Sequence, residues 1–149
     1  LHAKHIKSTD PIVDLVSVVT NRLSLYGIHS ELFAVLSELY NNAIEHGVLE
    51  LDSELKQSDS GFFAYFKLRE EKLSTLENAN IVITAEYRPD ENALAIRVKD
   101  SGKGFKQQHM SQLDNVEKSY GRGISLVKEL CESVVYTNKG NTVDVVFKI

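Results

Sequence analysis

Apolar residues recur at helical spacing in the first part of the chain. Ser8 to Pro11 supply a capping residue followed by a proline, which is typical of a helix start. The residues after them form one apolar stripe at three- and four-residue intervals: Ile12, Leu15, Val16, Val19, Leu23 and Tyr26. This spacing predicts an amphipathic helix that ends at Gly27. A short edge strand is predicted before it, over residues 5–7.

A second helix is predicted from His29 to Gly47, and its two faces differ in polarity. At about 100° per residue, one arc carries the side chains of Leu32, Leu36, Leu39, Tyr40 and Ala43. The opposite arc carries Glu31, Glu38, Asn41, Asn42 and Glu45. The pattern therefore buries the first arc and turns Glu38 and Asn42 away from the core.

The middle of the chain predicts a loop followed by a third helix. Residues 48–60 are polar, and residues 62–76 are helix-like with an aromatic front half and a charged back half. The aromatic side chains allow two interpretations, a helix that covers the sheet or a patch that docks a partner; they are Phe62, Phe63, Tyr65 and Phe66.

Alternating polarity and β-branched residues predict two strand pairs in the second half. The predicted strands are 81–87, 93–99, 134–137 and 142–149. Residues 100–120 are polar and irregular, and an apolar stripe from Ile124 to Val134 predicts the last helix. This order predicts an α+β fold, a two-layer α/β sandwich whose mixed, mostly antiparallel sheet carries helices on one face.

Composition limits the class of protein. The 149 residues carry a formal net charge of −4, with 42% hydrophobic residues, which suits one globular domain over residues 1–149. Nothing in this charge favours nucleic acid or a membrane surface. The single cysteine, Cys131, forms no internal disulfide and fits the apolar stripe of the last helix, so we expect a cytoplasmic protein. Because the chain begins at Leu1, we expect a domain taken from a longer multidomain protein.

Glu38 and Asn42 form the first candidate constellation. Their spacing places a carboxylate and a carboxamide side by side on the polar arc of the second helix. A carboxylate can orient or deprotonate an attacking hydroxyl, and an amide oxygen is a suitable ligand for Mg²⁺. The alternative is an ordinary solvated helix face, although two adjacent asparagines are unusual inside a helix.

Two glycine-containing segments form the other candidates. Asp100 ends a predicted strand and is followed by Gly102 and Gly104. Its carboxylate can accept a hydrogen bond from an exocyclic amine, and the glycines allow the backbone to approach a flat ligand closely. The segment from Gly121 to Gly123 precedes the last helix, where free N–H groups suit a phosphate. Each has a simpler alternative, an ordinary turn or a flexible loop. Together with the first constellation they supply a metal ligand, a base recogniser and a phosphate cradle.

These segments resemble the motifs of the GHKL ATPase superfamily, which includes gyrase B and histidine kinases. Residues 37–47 are similar to its N-box, residues 100–104 to its first glycine box and residues 121–127 to its second. The motif S-E-x-x-x-N-A-I-x-H-G and the GRG sequence at the start of the last helix resemble those of the anti-sigma-factor serine kinases within this superfamily. The long segment 48–73 is similar to the kinase module that ends receiver–serine phosphatase fusion proteins.

The resemblance implies a role for each matched residue. Glu38 would be the catalytic carboxylate, Asn42 would coordinate the Mg²⁺ that bridges the phosphates of ATP, and Asp100 would bind the adenine amino group. Residues lining the base, ribose and phosphates would be Gly102, Gly104, Lys118, Gly121, Arg122 and Gly123. The family often has a threonine before its final strand that holds adenine through water; Asn141 stands there, and Thr142 next to it is the candidate.

The resemblance also implies partners. The leading interpretation is a serine kinase that phosphorylates an anti-sigma-factor antagonist and also binds a sigma factor, in a bacterial partner-switching pathway; such kinases are often homodimers. The first alternative is a non-catalytic, ATP-dependent module that sequesters a partner. The second is the catalytic domain of a sensor histidine kinase, which needs an upstream helix pair bearing a phosphoacceptor histidine.

Overall fold

The computed structural model describes residues 1–52, 59–104 and 122–149. Its α-helices are α1 (Ala3–Ser8), α2 (Ile12–Leu23), α3 (His29–Asn42), α4 (Asp59–Ser74) and α5 (Arg122–Leu130). Its strands are β1 (Ile81–Arg88), β2 (Ala93–Asp100), β3 (Ser133–Thr137) and β4 (Thr142–Lys148). A π-helical turn, Ala43–Val48, continues α3 without a break.

The four strands form one sheet in the order β1-β2-β4-β3, and each pairing between them is antiparallel. Alternate residues of β2 and β4 are buried under the helices, among them Ile96, Val98 and Val145. The other face carries polar pairs, such as Arg97 and Asp144, whose Nε and Oδ1 atoms lie 2.7 Å apart. The predicted α+β sandwich with helices on one face is therefore confirmed, and its described strands pair without a parallel neighbour.

The N-terminal residues form a helix and not the predicted edge strand. Ala3 and Ile6 lie three residues apart and are both buried, so α1 packs one side against the core. Extended pairing is limited to an isolated bridge between His2 and Asn80. Six residues are too few for hydrophobic periodicity to distinguish helix from strand, and tertiary contacts decided the conformation.

Helix α2 begins where the sequence predicted and ends earlier. The Oδ1 atom of Asp10 accepts a hydrogen bond from the Ile12 N–H at 3.0 Å, which satisfies one of the free donors of the first turn. Ser24 then adopts a left-handed conformation with φ 55°, and the helix ends three residues before Gly27. Gly27 lies instead in a short 3₁₀ turn, Tyr26–Ile28, that leads into α3.

Helix α3 buries the predicted apolar arc, but Gly47 does not end it. The helix widens after Asn42 into the π-helical turn, in which the Leu49 N–H donates to the Ile44 carbonyl at 2.8 Å. Gly47 therefore lies inside a helical turn and does not end the helix.

The predicted aromatic helix is confirmed as α4. Some of its aromatic residues pack against the fold, and others are exposed where a partner could dock. Tyr65 is fully buried, whereas Phe63 is 81% exposed and Phe62 and Phe66 are about half exposed. At the other end of the fold, α5 stops at Leu130, and Val134 lies in β3 and not in the helix. Cys131 is buried, as expected of a core residue.

Candidate functional site

Helix α3 places Glu38 and Asn42 side by side one turn apart. The apolar arc behind them is fixed, since Leu39 is 1% exposed and Ala43 is 6% exposed. The Asn42 Nδ2 atom is inaccessible to solvent and donates to no atom of the described residues. A buried amide without a partner is unusual, because removing it from water costs free energy that a hydrogen bond normally restores. The Nδ2 atom is therefore a donor that a ligand in the cleft could use.

Glu38 faces the beginning of α5. A Cβ atom built on Gly123 would overlap with the Glu38 carboxylate, so glycine at this position leaves the space that the carboxylate occupies. The first turn of a helix carries unpaired N–H groups and the positive end of the helix dipole, which favour a negative charge. The arrangement brings a carboxylate to the place where phosphate would also be held.

Asp100 ends β2 and is buried, with 7% of its surface exposed. Its N–H donates to the Asn141 carbonyl at 2.9 Å, and its Oδ1 atom accepts from the Gly102 N–H at 2.7 Å. Burial raises the pKa of this carboxyl to about 6, and the Gly102 hydrogen bond lowers it in part. Within the described residues Oδ2 accepts no hydrogen bond, so one oxygen is available to a donor on a ligand.

Glycine backbone encloses the Asp100 carboxylate on two sides. A Cβ on Gly47 would lie 2.6 Å from Oδ1, and a Cβ on Gly102 would lie 2.7 Å from the same atom and from the Gly47 carbonyl carbon. Neither contact is possible for a residue with a side chain unless the surroundings move. The sequence singled out Gly102 as backbone that a flat ligand can approach. The contact of Gly47 with Asp100 was missed, because it depends on two segments that are distant in the sequence.

The site lies in a cleft between α3, the π-helical turn and the sheet. Its walls include Leu39, Asn42, Ala43, His46, Gly47, Val98, Asp100, Gly104, Tyr136, Gly140, Asn141 and Val143. The enclosed space is about 20 Å³, which is roughly enough for one ordered water molecule.

Gly104 and the β3–β4 turn close the far end of the cleft. Gly104 has φ +76°, a conformation that favours glycine, and a Cβ there would overlap with the Lys139 backbone. The Asn141 Nδ2 atom donates to the Gly102 carbonyl at 3.3 Å. Thr142 is buried, and its hydroxyl donates to the Asn141 side-chain oxygen at 3.1 Å. Asn141 therefore lines the cleft, and Thr142 lies behind it.

Two further wall residues, His46 and Tyr136, were not assigned a catalytic or binding role from the sequence. The Nδ1 atom of His46 lies 2.7 Å from the Leu51 carbonyl, which requires that Nδ1 carry a proton and donate it. This contact agrees with a packing or capping role for His46. Burial raises the pKa of the Tyr136 hydroxyl, so this side chain is neutral.

Some predicted site residues lie outside the described residues, namely Lys118 and Gly121. Arg122 is the first residue of α5. In the described ranges, no group of three or more His, Cys, Asp or Glu residues could hold a metal ion. Mg²⁺ fits this donor set through the Asn42 amide oxygen together with phosphate and water oxygens, since Mg²⁺ usually keeps such ligands. None of the described helices is long and apolar enough to cross a membrane.

The sequence model of the histidine kinase-like ATPase domain matches residues 27–147, from just before α3 to the end of β4. The chain belongs to the histidine kinase-like ATPase family. A search of curated proteins found no match. The matched range contains Asn42 and Asp100, which line the cleft, and Glu38, which faces the start of α5. Membership makes this an ATP-binding domain of a family whose members use ATP in hydrolysis or phosphoryl transfer.

Proposed function

We propose that the domain is an anti-sigma-factor-like serine protein kinase, which uses Mg-ATP to phosphorylate a serine of an anti-sigma-factor antagonist. The observation that carries this proposal is the position of Glu38. Its carboxylate lies at the N-terminus of α5, one helical turn from Asn42, whose Nδ2 atom has no partner among the described residues. A site that only held nucleotide would not need a carboxylate where the terminal phosphate is expected.

Each residue of the cleft has a task in this reaction. Asp100 accepts a hydrogen bond from the adenine amine, and Gly102 and Gly104 allow the backbone to approach the base and ribose. The N–H groups that begin α5 at Gly123 bind phosphate oxygens. Glu38 orients the serine hydroxyl and accepts its proton as the oxygen attacks the γ-phosphorus. The bond from phosphorus to the bridging oxygen breaks, and ADP leaves with that electron pair.

Asn42 would hold Mg²⁺ through its amide oxygen. When bound, the metal neutralises charge on the phosphates during transfer. The Nδ2 atom of the same amide has no hydrogen-bond partner among the described residues, so it could donate to a phosphate oxygen while the amide oxygen holds the metal. The remaining metal ligands would be phosphate and water oxygens.

The proposal includes the biological setting of the reaction. The protein would act in the cytoplasm and bind a sigma factor or its antagonist in turn, with phosphorylation of the antagonist deciding which is bound. A homodimer is part of this proposal. What supports it is the resemblance of the N-box and glycine-box sequences to those of anti-sigma-factor serine kinases.

Phosphoryl transfer to candidate partners tests the proposal directly. Labelled ATP and Mg²⁺ are incubated with the domain and with small antagonist-like proteins encoded near its gene. We expect label on a serine of one candidate, and loss of that label with Glu38→Gln. Glu31→Gln is the matched control, since Glu31 is exposed in the first turn of the same helix. It should leave transfer unchanged.

Other outcomes distinguish the alternatives. ATP binding without transfer to any candidate would favour the partner-sequestering module. Stable phosphohistidine on the full-length protein would favour the sensor histidine kinase. Transfer that persists undiminished in Glu38→Gln would show that Glu38 does not have the assigned role.

A further inference from the structure

One face of α4 holds the π-helical turn in place. The Tyr65 hydroxyl donates to Glu45 Oε2 at 2.6 Å, and the Arg69 Nε atom donates to Glu45 Oε1 at 3.1 Å. Farther along the same face, the Lys72 Nζ atom donates to the Leu49 carbonyl at 2.9 Å. Both ends of the turn are thus attached to a helix that contributes no residue to the cleft wall.

The contacts of Glu45 are well shielded from solvent. Tyr65 is fully buried, and the Glu45 and Arg69 side chains are 14% and 24% exposed. A distance of 2.6 Å is within the short range of hydroxyl–carboxylate hydrogen bonds, which are stronger than neutral ones. Burial, and then the hydrogen bond to Glu45, raises the pKa of Tyr65 well above its ordinary value. The hydroxyl therefore remains a donor throughout the neutral pH range.

A π-helical turn needs such support. This conformation is rare, occurs mostly as single turns and is frequent at functional sites. If the turn relaxed to α-helical hydrogen bonding, the residues after it would rotate by about 100°, the angle of one residue. Gly47 would then no longer face Asp100, and a neighbour with a side chain, His46 or Val48, would approach the carboxylate instead.

We propose that Glu45 is a positioning residue for base recognition: held by Tyr65 and Arg69, it fixes the π-helical turn so that Gly47 stays against Asp100. Glu45 does not line the cleft, and its effect passes through the turn. The inference rests on the proposed binding of ATP in this cleft. In this inference α4, which lies between the N-box and β1, supports the wall of the cleft that binds the base.

Discrimination between two nucleotides tests the proposal. In inosine triphosphate a carbonyl oxygen replaces the exocyclic amine of ATP, so the ratio of the two dissociation constants measures recognition by Asp100. We expect Tyr65→Phe to reduce this ratio by about tenfold, chiefly through weaker ATP binding. Tyr26→Phe is the matched control, because Tyr26 is 64% exposed and removed from the cleft. It should keep the ratio of the unchanged chain.

Variants of Glu45 separate positioning from general stability. Glu45→Gln keeps an acceptor oxygen for the Tyr65 hydroxyl, so it should retain more discrimination than Glu45→Ala. A loss of folding stability alone would lower the melting temperature of all variants and leave the nucleotide ratio unchanged. Binding is therefore measured well below each melting temperature.

The outcomes separate this inference from the proposed function. If the unchanged chain prefers ATP and Tyr65→Phe prefers it equally, the positioning role of Glu45 is wrong and the proposed function stands. If the unchanged chain does not bind ATP or does not prefer it, the proposed function fails and this inference fails with it. Reduced discrimination in Tyr65→Phe, with partial retention in Glu45→Gln, supports the inference.

Discussion

The Cα atom of Gly47 lies against the carboxylate of Asp100, so close that a Cβ atom there would come within 2.6 Å of Oδ1. The contact joins the end of the N-box to the end of β2, where the carboxylate is buried and its Oδ1 atom accepts from the Gly102 N–H. Close backbone approach of this kind is possible only for glycine.

Gly47→Ala should therefore weaken ATP binding by about tenfold or more, because the added methyl group displaces the carboxylate or the π-helical turn. The overlap should also cost about 1–3 kcal/mol of folding stability. Isothermal titration and urea unfolding measure the two effects. Gly27→Ala is the control: a Cβ on Gly27 meets no atom within 4 Å, so it should leave binding unchanged.

The pKa of Asp100, raised by burial to about 6, predicts an acid limit for ATP binding. The adenine amine donates to the ionised carboxylate, so affinity should fall by about tenfold for each pH unit below about 6. Saturating Mg²⁺ keeps the terminal phosphate ionised, so the fall reports the carboxyl group. Carbon-13 NMR of the carboxyl should titrate with the same midpoint; a midpoint near 4 would contradict the prediction.

The raised pKa of Asp100 also makes the folding stability depend on pH. The folded-state pKa of Asp100 lies above its ordinary value of 3.8, so its ionised form destabilises the folded protein. This cost is present above about pH 6 and disappears as the pH falls through the range between the two values. Asp100→Asn should be more stable than the unchanged chain at pH 8, by at most about 3 kcal/mol, and equally stable near pH 4. It should no longer recognise adenine.

Asn42→Ala should abolish Mg²⁺-dependent nucleotide binding while the fold survives. The Asn42 Nδ2 atom makes no hydrogen bond within the described residues, and alanine is a better helix former, so folding stability should change by less than about 1 kcal/mol. Asn41→Ala, at the exposed neighbouring position, should bind like the unchanged chain. Unfolding of the Asn42 variant, seen by circular dichroism, would count against the prediction.

Gly123→Ala should separate nucleotide binding from transfer. The added Cβ would take the space of the Glu38 carboxylate, so phosphoryl transfer should fall at least about tenfold, while ATP affinity changes by a few-fold at most. A double-mutant cycle with Glu38→Gln tests the cause. If Gly123→Ala acts by displacing Glu38, it should lower transfer little further in the Glu38→Gln protein, whereas fully additive effects would exclude this mechanism.

Local sequence patterns predicted most of the secondary structure. The apolar arc of α3 is buried as its spacing required, and all four strands lie within one or two residues of their predicted bounds. The errors have a common cause. The strand at residues 5–7, the stops at Gly27 and Gly47 and the extension of α5 to Val134 were each inferred from a few residues, where tertiary contacts outweigh local preference.

The residues of the candidate site were also predicted with unequal success. Residue type and order along the chain were enough to predict a carboxylate at Glu38, an amide at Asn42 and a carboxylate at Asp100. The role of Thr142 was less well predicted, since a shift of one residue along β4 decides whether Asn141 or Thr142 lines the cleft.

By itself, the sequence determined which polar groups α3 and the end of β2 carry, because spacing along a helix and position at a strand end follow from local geometry. The tertiary structure alone decided how these groups are enclosed. The π-helical turn, the contact of Gly47 with Asp100 and that of Gly123 with Glu38 each join segments far apart in the chain. Such contacts depend on how helices and sheet pack together, and the burial that raises the pKa of Asp100 exists only once they have done so.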